Sequence, residues 1–198
     1  MRTEIGSDRI LVVIRHGQTD WNVEERFQGR LDVPLNAVGR SQALKLKVGL
    51  AGIPFDRVYS SPLRRALHTA WITAGNRAVT LEPLLTEVHH GLWQGRTKRE
   101  ILCHWPDQWE CWQSQRQPFT PRDGEPARYV GTRVEEFLHS MKGSNILCVS
   151  HGVVIQNFLA ILSGSPLSPD VPPNGSIHTF RFRNRNLNDY HVASGSAI

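Results

Sequence analysis

The sequence predicts an α/β fold with a mostly parallel central sheet, and three observations predict it. Ile10–Ile14 and Ile146–Val149 are uninterrupted apolar runs rich in β-branched residues, the pattern of strands buried on both faces. Both break at once into His-Gly, as Arg15-His16-Gly17 and Ser150-His151-Gly152. Segments of helical periodicity lie between them. Neighbouring parallel strands would bring both imidazoles to the carboxyl edge of the sheet, where open α/β sheets bind ligands. A chain of 198 residues can bury a substantial core as one domain, residues 1–198.

The elements follow in order. After the first strand comes a polar loop, and Gly17 lets the backbone turn beside the imidazole. Asn36 is placed to cap a helix from about Ala37 to Leu50, with Ala43, Leu46 and Leu50 on one face. Arg57–Ser60 reads as a strand. Ser61-Pro62 reads as a cap followed by proline at the first helical position. The helix after it carries Leu63, Ala66, Leu67, Ala70, Trp71 and Ala74 as an apolar stripe, with Arg64 and Arg65 in its first turn. Ala78–Leu81 is a short strand candidate leading to Glu87-Val88-His89-His90-Gly91. From Trp93 to about Arg128 the composition shifts to tryptophan and proline, which predicts short helices and a loop over a site, a lid insertion at about 96–128. A helix from about Arg128 to Lys142 places Val130, Val134, Phe137, Leu138 and Met141 on one face and stops at Gly143. The helix after His151 carries Val154, Phe158, Ile161 and Leu162. Strands at Ser176–Phe182 and Asp189–Val192 close the chain.

Composition narrows the classes of function. No apolar run approaches the ~20 residues of a membrane span, and the short polar N-terminus does not read as a signal peptide. Cys103, Cys111 and Cys148 have no metal-type spacing, which fits a reducing, cytoplasmic setting. The net charge of +5 suits an anionic partner. The basic residues are scattered, with no Lys/Arg block of five or more to form a basic run interleaved with aromatics, so the expected partner is a small phosphorylated metabolite, with no nucleic acid and no membrane.

The polar residues at strand ends and helix starts are Arg15, His16, Asn22, Arg64, Glu87 and His151. Two guanidiniums, two imidazoles and an amide suit a tetrahedral dianion, because arginine forks match phosphoryl oxygens. Arg64 and His151 also fall at helix N-termini, where free N–H groups favour anions. A histidine can act as nucleophile, and the single carboxylate can protonate a leaving oxygen and then activate water. There is no carboxylate cluster and no His-x-x-x-His, so neither metal nor cofactor is expected.

At these residues the chain resembles the histidine phosphatase superfamily, the phosphoglycerate mutase-like fold. The matching stretches are LVVIRHGQTDWN (11–22), FQGRLDVPLNAVGRSQA (27–43), VYSSPLRRALHTA (58–70), LLTEVHHGLWQG (84–95) and LCVSHG (147–152). The resemblance implies a three-layer α/β/α fold with a short helical lid. It implies His16 as the phosphorylated nucleophile, Arg15, Arg64 and His151 as the phosphate pocket, and Asn22 as their assistant. It implies Glu87 as the proton donor and Gln28 and Gly29 as a loop touching the phosphoryl group or the substrate.

The activity implied is a metal-independent histidine acid-type phosphatase acting through a phosphohistidine. The alternatives are a cofactor-dependent phosphoglycerate mutase and a catalytically silent phosphate-binding module. Lys98, eleven residues after Glu87, favours the mutase. The lack of an arginine pair after Trp112 and the short lid with Gly124-Glu125 favour the phosphatase. Pro126 departs from the phosphatase pattern, which has serine there, and Gln94 stands where many members have glutamate. The silent module is disfavoured because His16, Arg64 and Glu87 are all present.

Overall fold

The computed structural model describes residues 9–114, 119–182 and 193–195. Its helices are α1 (Asp20–Val23), α2 (Ala37–Gly49), α3 (Arg64–Ala74), α4 (Lys98–His104), α5 (Pro106–Ser114), α6 (Ala127–Ser140) and α7 (Gly152–Ser163). Its strands are β1 (Arg9–Arg15), β2 (Arg57–Ser60), β3 (Thr80–Leu81), β4 (Asn145–Ser150), β5 (Ile177–Phe182) and β6 (Ala193–Gly195). The strand order is β3-β2-β4-β1-β5-β6. β3, β2, β4 and β1 run parallel, while β5 and β6 add antiparallel pairs at one side.

Burial on both faces explains why the two apolar runs sit centrally. Leu11, Val12, Val13 and Ile14 are fully buried, as are Ile146, Leu147, Cys148 and Val149. Alternate residues face opposite layers. Leu11 and Val13 join Ile146, Cys148 and the apolar faces of α6 and α7. Val12 and Ile14 join Leu147, Val149 and the faces of α2 and α3. The result is a three-layer α/β/α arrangement. β1 and β4 pair in register from Ile10–Asn145 to Arg15–Ser150, so His16 and His151 leave the sheet side by side.

Most helices follow the periodicity of the sequence. Asn36 caps α2 by accepting from the Gly39 N–H at 2.9 Å, and Ala43, Leu46 and Leu50 are buried. α6 buries Val130, Val134, Phe137 and Leu138. In α7, Ile155 takes the deep position and Ile161 is only half-buried.

α3 departs from the expectation in start and in face. Pro62 is not its first residue: Leu63 is the N-cap and Arg64 the first helical residue. Ser61 Oγ is engaged elsewhere, with His151, and the orphan N–H of Arg64 is accepted by Asp32 Oδ1 from a distant loop at 2.7 Å. The buried face is Arg65, Ala66, Thr69, Ala70, Thr73 and Ala74, while Trp71 is 53% exposed. The bulky Leu63, Leu67 and Trp71 suggested the wrong stripe. Close approach to the sheet selects the small side chains instead, and the Thr69 and Thr73 hydroxyls are satisfied by donating to the carbonyls four residues back.

Two further expectations change. The strand expected at Ala78–Leu81 is reduced to Thr80–Leu81. The strand expected at Asp189–Val192 lies outside the described residues, which place β6 at Ala193–Gly195.

The turn after β1 is fastened to α2 by backbone contact. A Cβ on Gly17 would lie 2.4 Å from the Gly39 carbonyl oxygen, and one on Gly39 would lie 2.1 Å from that of Gln18. No flexible side chain can yield there. Gly39→Ala is therefore expected to lower stability by about 1–3 kcal/mol, the usual cost of overpacking, in urea unfolding, whereas Gly49→Ala, which meets nothing within 4 Å, should not.

Candidate active site

His16 is the centre of the site and is 2% exposed. Its Nδ1 lies 2.7 Å from the Gly17 carbonyl and its Nε2 lies 3.3 Å from Arg65 Nε. A carbonyl only accepts and a guanidinium only donates. The ring proton is therefore on Nδ1 and the Nε2 lone pair faces the arginine. Burial first, then the charges of Arg65 and Arg15, hold this imidazole well below its ordinary range, so it stays neutral.

The backbone around His16 is clamped from three sides. The Gly17 N–H donates to Thr69 Oγ1 of α3 at 3.0 Å. Asn174 Nδ2 donates to the His16 carbonyl at 3.1 Å. Gln42 Oε1 of α2 accepts from the Gln18 N–H at 2.8 Å.

The arginine expected at position 64 is a correction. Arg64 is exposed, and Arg65 is 1% exposed and reaches the imidazole. Thr69 and Thr73 share the inward face with Arg65, and Arg64 is one residue, 100°, off it. Besides His16, Arg65 donates to the Gly29 carbonyl at 2.7 Å and to the Leu31 carbonyl at 2.9 Å. Burial lowers its pKa to about 10, against the raising influence of Glu87 and Asp32.

Arg15, on the other face of β1, donates from Nη1 to the Pro172 carbonyl. Its Nε is buried without a protein partner. Gly152, at the start of α7, packs against Val171, whose Cγ1 would lie 2.5 Å from a Cβ there.

The His151 ring centroid is 5.1 Å from that of His16. Its Nε2 is 2.7 Å from Ser61 Oγ, which itself accepts from the Leu63 N–H. Among the described residues, the hydroxyl hydrogen of Ser61 finds its acceptor only in that ring nitrogen. The His151 proton is thereby placed on Nδ1, a buried atom without a protein partner. Burial, with Arg65 next, keeps this ring neutral as well.

Glu87 is 8% exposed. Its Oε1 accepts from the Val88 N–H at 2.9 Å and its Oε2 from the Val153 N–H at 3.4 Å. Burial raises its pKa, opposed first by the Val88 hydrogen bond and then by Arg65 and Arg15.

The remaining expected residues divide. Gln28 is buried, with an unpartnered Oε1, and Gly29 presents its carbonyl to Arg65. Asn22 is half-buried and caps α1: its Oδ1 accepts from the Thr19 N–H and hydroxyl, both at 3.0 Å. It makes no hydrogen bond to His16, Arg15, Arg65 or His151.

The tryptophans of the inserted segment pack on one another. Trp93, Ile101 and Trp109 form a small core with Phe27, Trp105, Trp112 and Phe119 against it. They hold α4 and α5 down, which is a packing role. The adjacent His90 meets Phe27 edge-on at 5.0 Å.

Two neutral imidazoles, one buried and one half-buried guanidinium and unpartnered N–H groups thus surround one lone pair, with a carboxyl group of raised pKa beside them. This arrangement on a three-layer α/β/α fold defines a class of phosphoryl-transfer proteins. The chain belongs to the histidine phosphatase superfamily (branch 1), whose family model matches residues 11–188. It is 34% identical over 162 residues to the adenosylcobalamin/α-ribazole phosphatase of Escherichia coli strain K12, covering 79% of this chain and 80% of that protein. It is 31% identical over 173 residues to the 2,3-bisphosphoglycerate-dependent phosphoglycerate mutase of Bartonella henselae, covering 79% and 82%. A mycobacterial glucosyl-3-phosphoglycerate phosphatase, solved with VO3, superposes with a TM-score of 0.76 at 31% identity, over 87% of this chain and 92% of that one. No described helix is long and apolar enough to cross a membrane.

Two outcomes are expected. Arg65→Ala should weaken binding of inorganic phosphate at least about tenfold, since charged hydrogen bonds are each worth ~1.5–3 kcal/mol, while Arg64→Ala should not; isothermal titration distinguishes them. Because His16 and His151 are held neutral when folded, the unfolded chain takes up their protons first as pH falls below about 6.5. The stability they contribute is present above that pH and is lost on acidification. Urea unfolding between pH 6.5 and 5 should therefore show a slope above the ~1.4 kcal/mol per pH unit of a single proton.

Proposed function

We infer that this chain is a metal-independent phosphomonoesterase that works through a phosphohistidine on His16 and acts on a small phosphorylated metabolite. The observation that carries the reading is the tautomer of His16. Its Nδ1 proton is donated to the Gly17 carbonyl and its Nε2 lone pair faces the Arg65 guanidinium, which an arriving phosphoryl group would draw onto its own oxygens.

The reaction follows from that geometry. Nε2 attacks phosphorus and the phosphorus–oxygen bond to the leaving group breaks. Protonated Glu87 gives its proton to the departing oxygen. Positive charge developing on the ring is shared with the Gly17 carbonyl through Nδ1–H. The N–H groups of Arg15, Arg65 and His151 neutralise the equatorial oxygens, the main demand of phosphoryl transfer. Glu87, now a carboxylate, takes a proton from water. The water oxygen attacks phosphorus, the phosphorus–nitrogen bond breaks, and its electron pair returns to Nε2.

A mutase would hand the phosphoryl group to a second hydroxyl instead of to water. Lys98, the residue that favours it, is exposed and its ammonium lies 5.4 Å from the Trp109 ring centroid. The geometry supports the phosphatase better.

The test is phosphate release from a panel of phosphomonoesters with EDTA present, with interconversion of 3- and 2-phosphoglycerate followed alongside. Phosphate release that persists in EDTA is expected, with inhibition by orthovanadate. Isomerisation without net release would overturn the reading in favour of the mutase. His16→Ala should abolish turnover while the thermal transition survives; activity in that variant would refute the phosphohistidine. Glu87→Gln should slow alkyl phosphates by about 10²-fold or more, the usual contribution of a general acid. It should slow p-nitrophenyl phosphate much less, since that leaving group needs no proton.

A further inference from the structure

Glu125 is an acid that the site's chemistry leaves unused, with a side chain only 12% exposed. It lies on the inserted segment, just before α6. Arg133 of α6 grips it with a two-pronged contact, Nε to Oε1 at 3.0 Å and Nη2 to Oε2 at 3.1 Å. Arg30, beside Gly29, donates to Oε2 at 3.0 Å. Two cations on one nearly buried carboxylate are a costly arrangement to break from one side only.

All three side chains reach the same stretch of backbone. The third nitrogen of Arg133, Nη1, donates to the carbonyls of Leu84 at 2.6 Å and Thr86 at 2.9 Å. Arg30 Nε donates to the carbonyl of Glu87 itself at 3.1 Å. The Glu125 carboxylate accepts from the His89 N–H at 3.3 Å, and its own N–H donates to the His89 carbonyl at 2.7 Å. Residues 84–89 are thus tied by five hydrogen bonds to α6, to the loop after Phe27 and to the inserted segment. Glu87 sits in the middle of them. The phosphate pocket hangs on β1, α3 and β4. It meets this stretch through Ser150 Oγ, which donates to the Leu85 carbonyl at 2.7 Å, and through the Val153 N–H, which donates to Glu87 Oε2 at 3.4 Å, but none of its side chains bonds to Glu125 or Arg133.

We propose that Glu125, neutralised by Arg133 and Arg30, is a positioning residue that holds the Glu87 carboxyl where it meets the leaving oxygen, and so couples the seating of the inserted segment to proton donation. The proposal rests on the reading of Glu87 as proton donor. Displacement of a reacting group by about 1 Å can cost ~10²-fold, and the loss should fall on the step that uses the proton.

The experiment is a leaving-group series, from p-nitrophenyl phosphate to simple alkyl phosphates, on wild type, Glu87→Gln, Glu125→Gln and their double variant. Glu125→Gln is expected to lower kcat for alkyl phosphates by about 10- to 100-fold. It should change p-nitrophenyl phosphate by less than about threefold and leave KM nearly constant. In the Glu87→Gln background the same change should cost almost nothing more, because the group it positions is gone. Equal losses on all leaving groups, additive losses in the double variant, or no loss would each overturn the proposal. Absence of leaving-group selectivity in Glu87→Gln alone would instead refute Glu87 as donor. If Glu125→Gln yields no folded protein, Arg133→Lys asks the same question. It keeps the charge but not the fork, touches only residues 84–86 and Glu125, and should show the same selective loss.

Discussion

The contact between His16 and Arg65 is the constraint on which the rest of the molecule depends. An imidazole and a guanidinium, both almost wholly buried, meet at 3.3 Å. Taking a cation out of water is expensive, and here a second one, Arg15, lies half-buried close by. The protein offsets that cost with backbone carbonyls: those of Gly29 and Leu31 serve Arg65 and that of Pro172 serves Arg15. Burial first, and then the charge that the carbonyls leave uncompensated, hold both imidazoles neutral; that charge also favours an arriving anion.

The fold can be understood as the scaffold that makes this burial possible. Two parallel strands delivering His16 and His151 at one edge require β1 and β4 to be neighbours, and hence apolar on both faces. α3 must lie close to the sheet for Arg65 to reach the imidazole, which explains its small inward residues. The backbone contact between Gly17, Gln18 and Gly39 locks the turn after His16 onto α2. Glu87 has ties of its own, through Arg30, Arg133 and Glu125, beside those that Ser150 and Val153, the neighbours of His151, make to the same stretch.

Much of this was legible in the residues. The central strands announce themselves by unbroken β-branched runs, and α2 and α6 by caps and period. His16, Arg15, His151 and Glu87 were found by type and place. Arg65 was missed in favour of its neighbour, because an apolar stripe weights bulky side chains and the true face of α3 is alanine and threonine. The repeat Arg65, Thr69, Thr73 at intervals of four was the signal available. Ser61 seemed a helix cap, since nothing local shows that its hydroxyl faces a histidine ninety residues away. Asn22, expected to assist the phosphate pocket, closes the capping box of α1 with its oxygen, a contact that does not use the amide N–H groups an anion would need. Asn174 carries no motif at all.

The sequence by itself determined the family, the alternation of strands and helices, and which two histidines and which carboxyl group would be candidates for the site. These depend on local chemistry: hydrophobic period, turn residues, and rare polar groups placed at the ends of apolar runs. Only the tertiary structure decided which of two adjacent arginines enters the site, which nitrogen of each histidine carries its proton, and which acid supports Glu87. Those depend on helix phase and on partners dozens of residues distant. A rotation of 100° between consecutive helical residues separates a buried guanidinium from a solvated one. No local pattern sets that rotation; the packing of α3 against the sheet does.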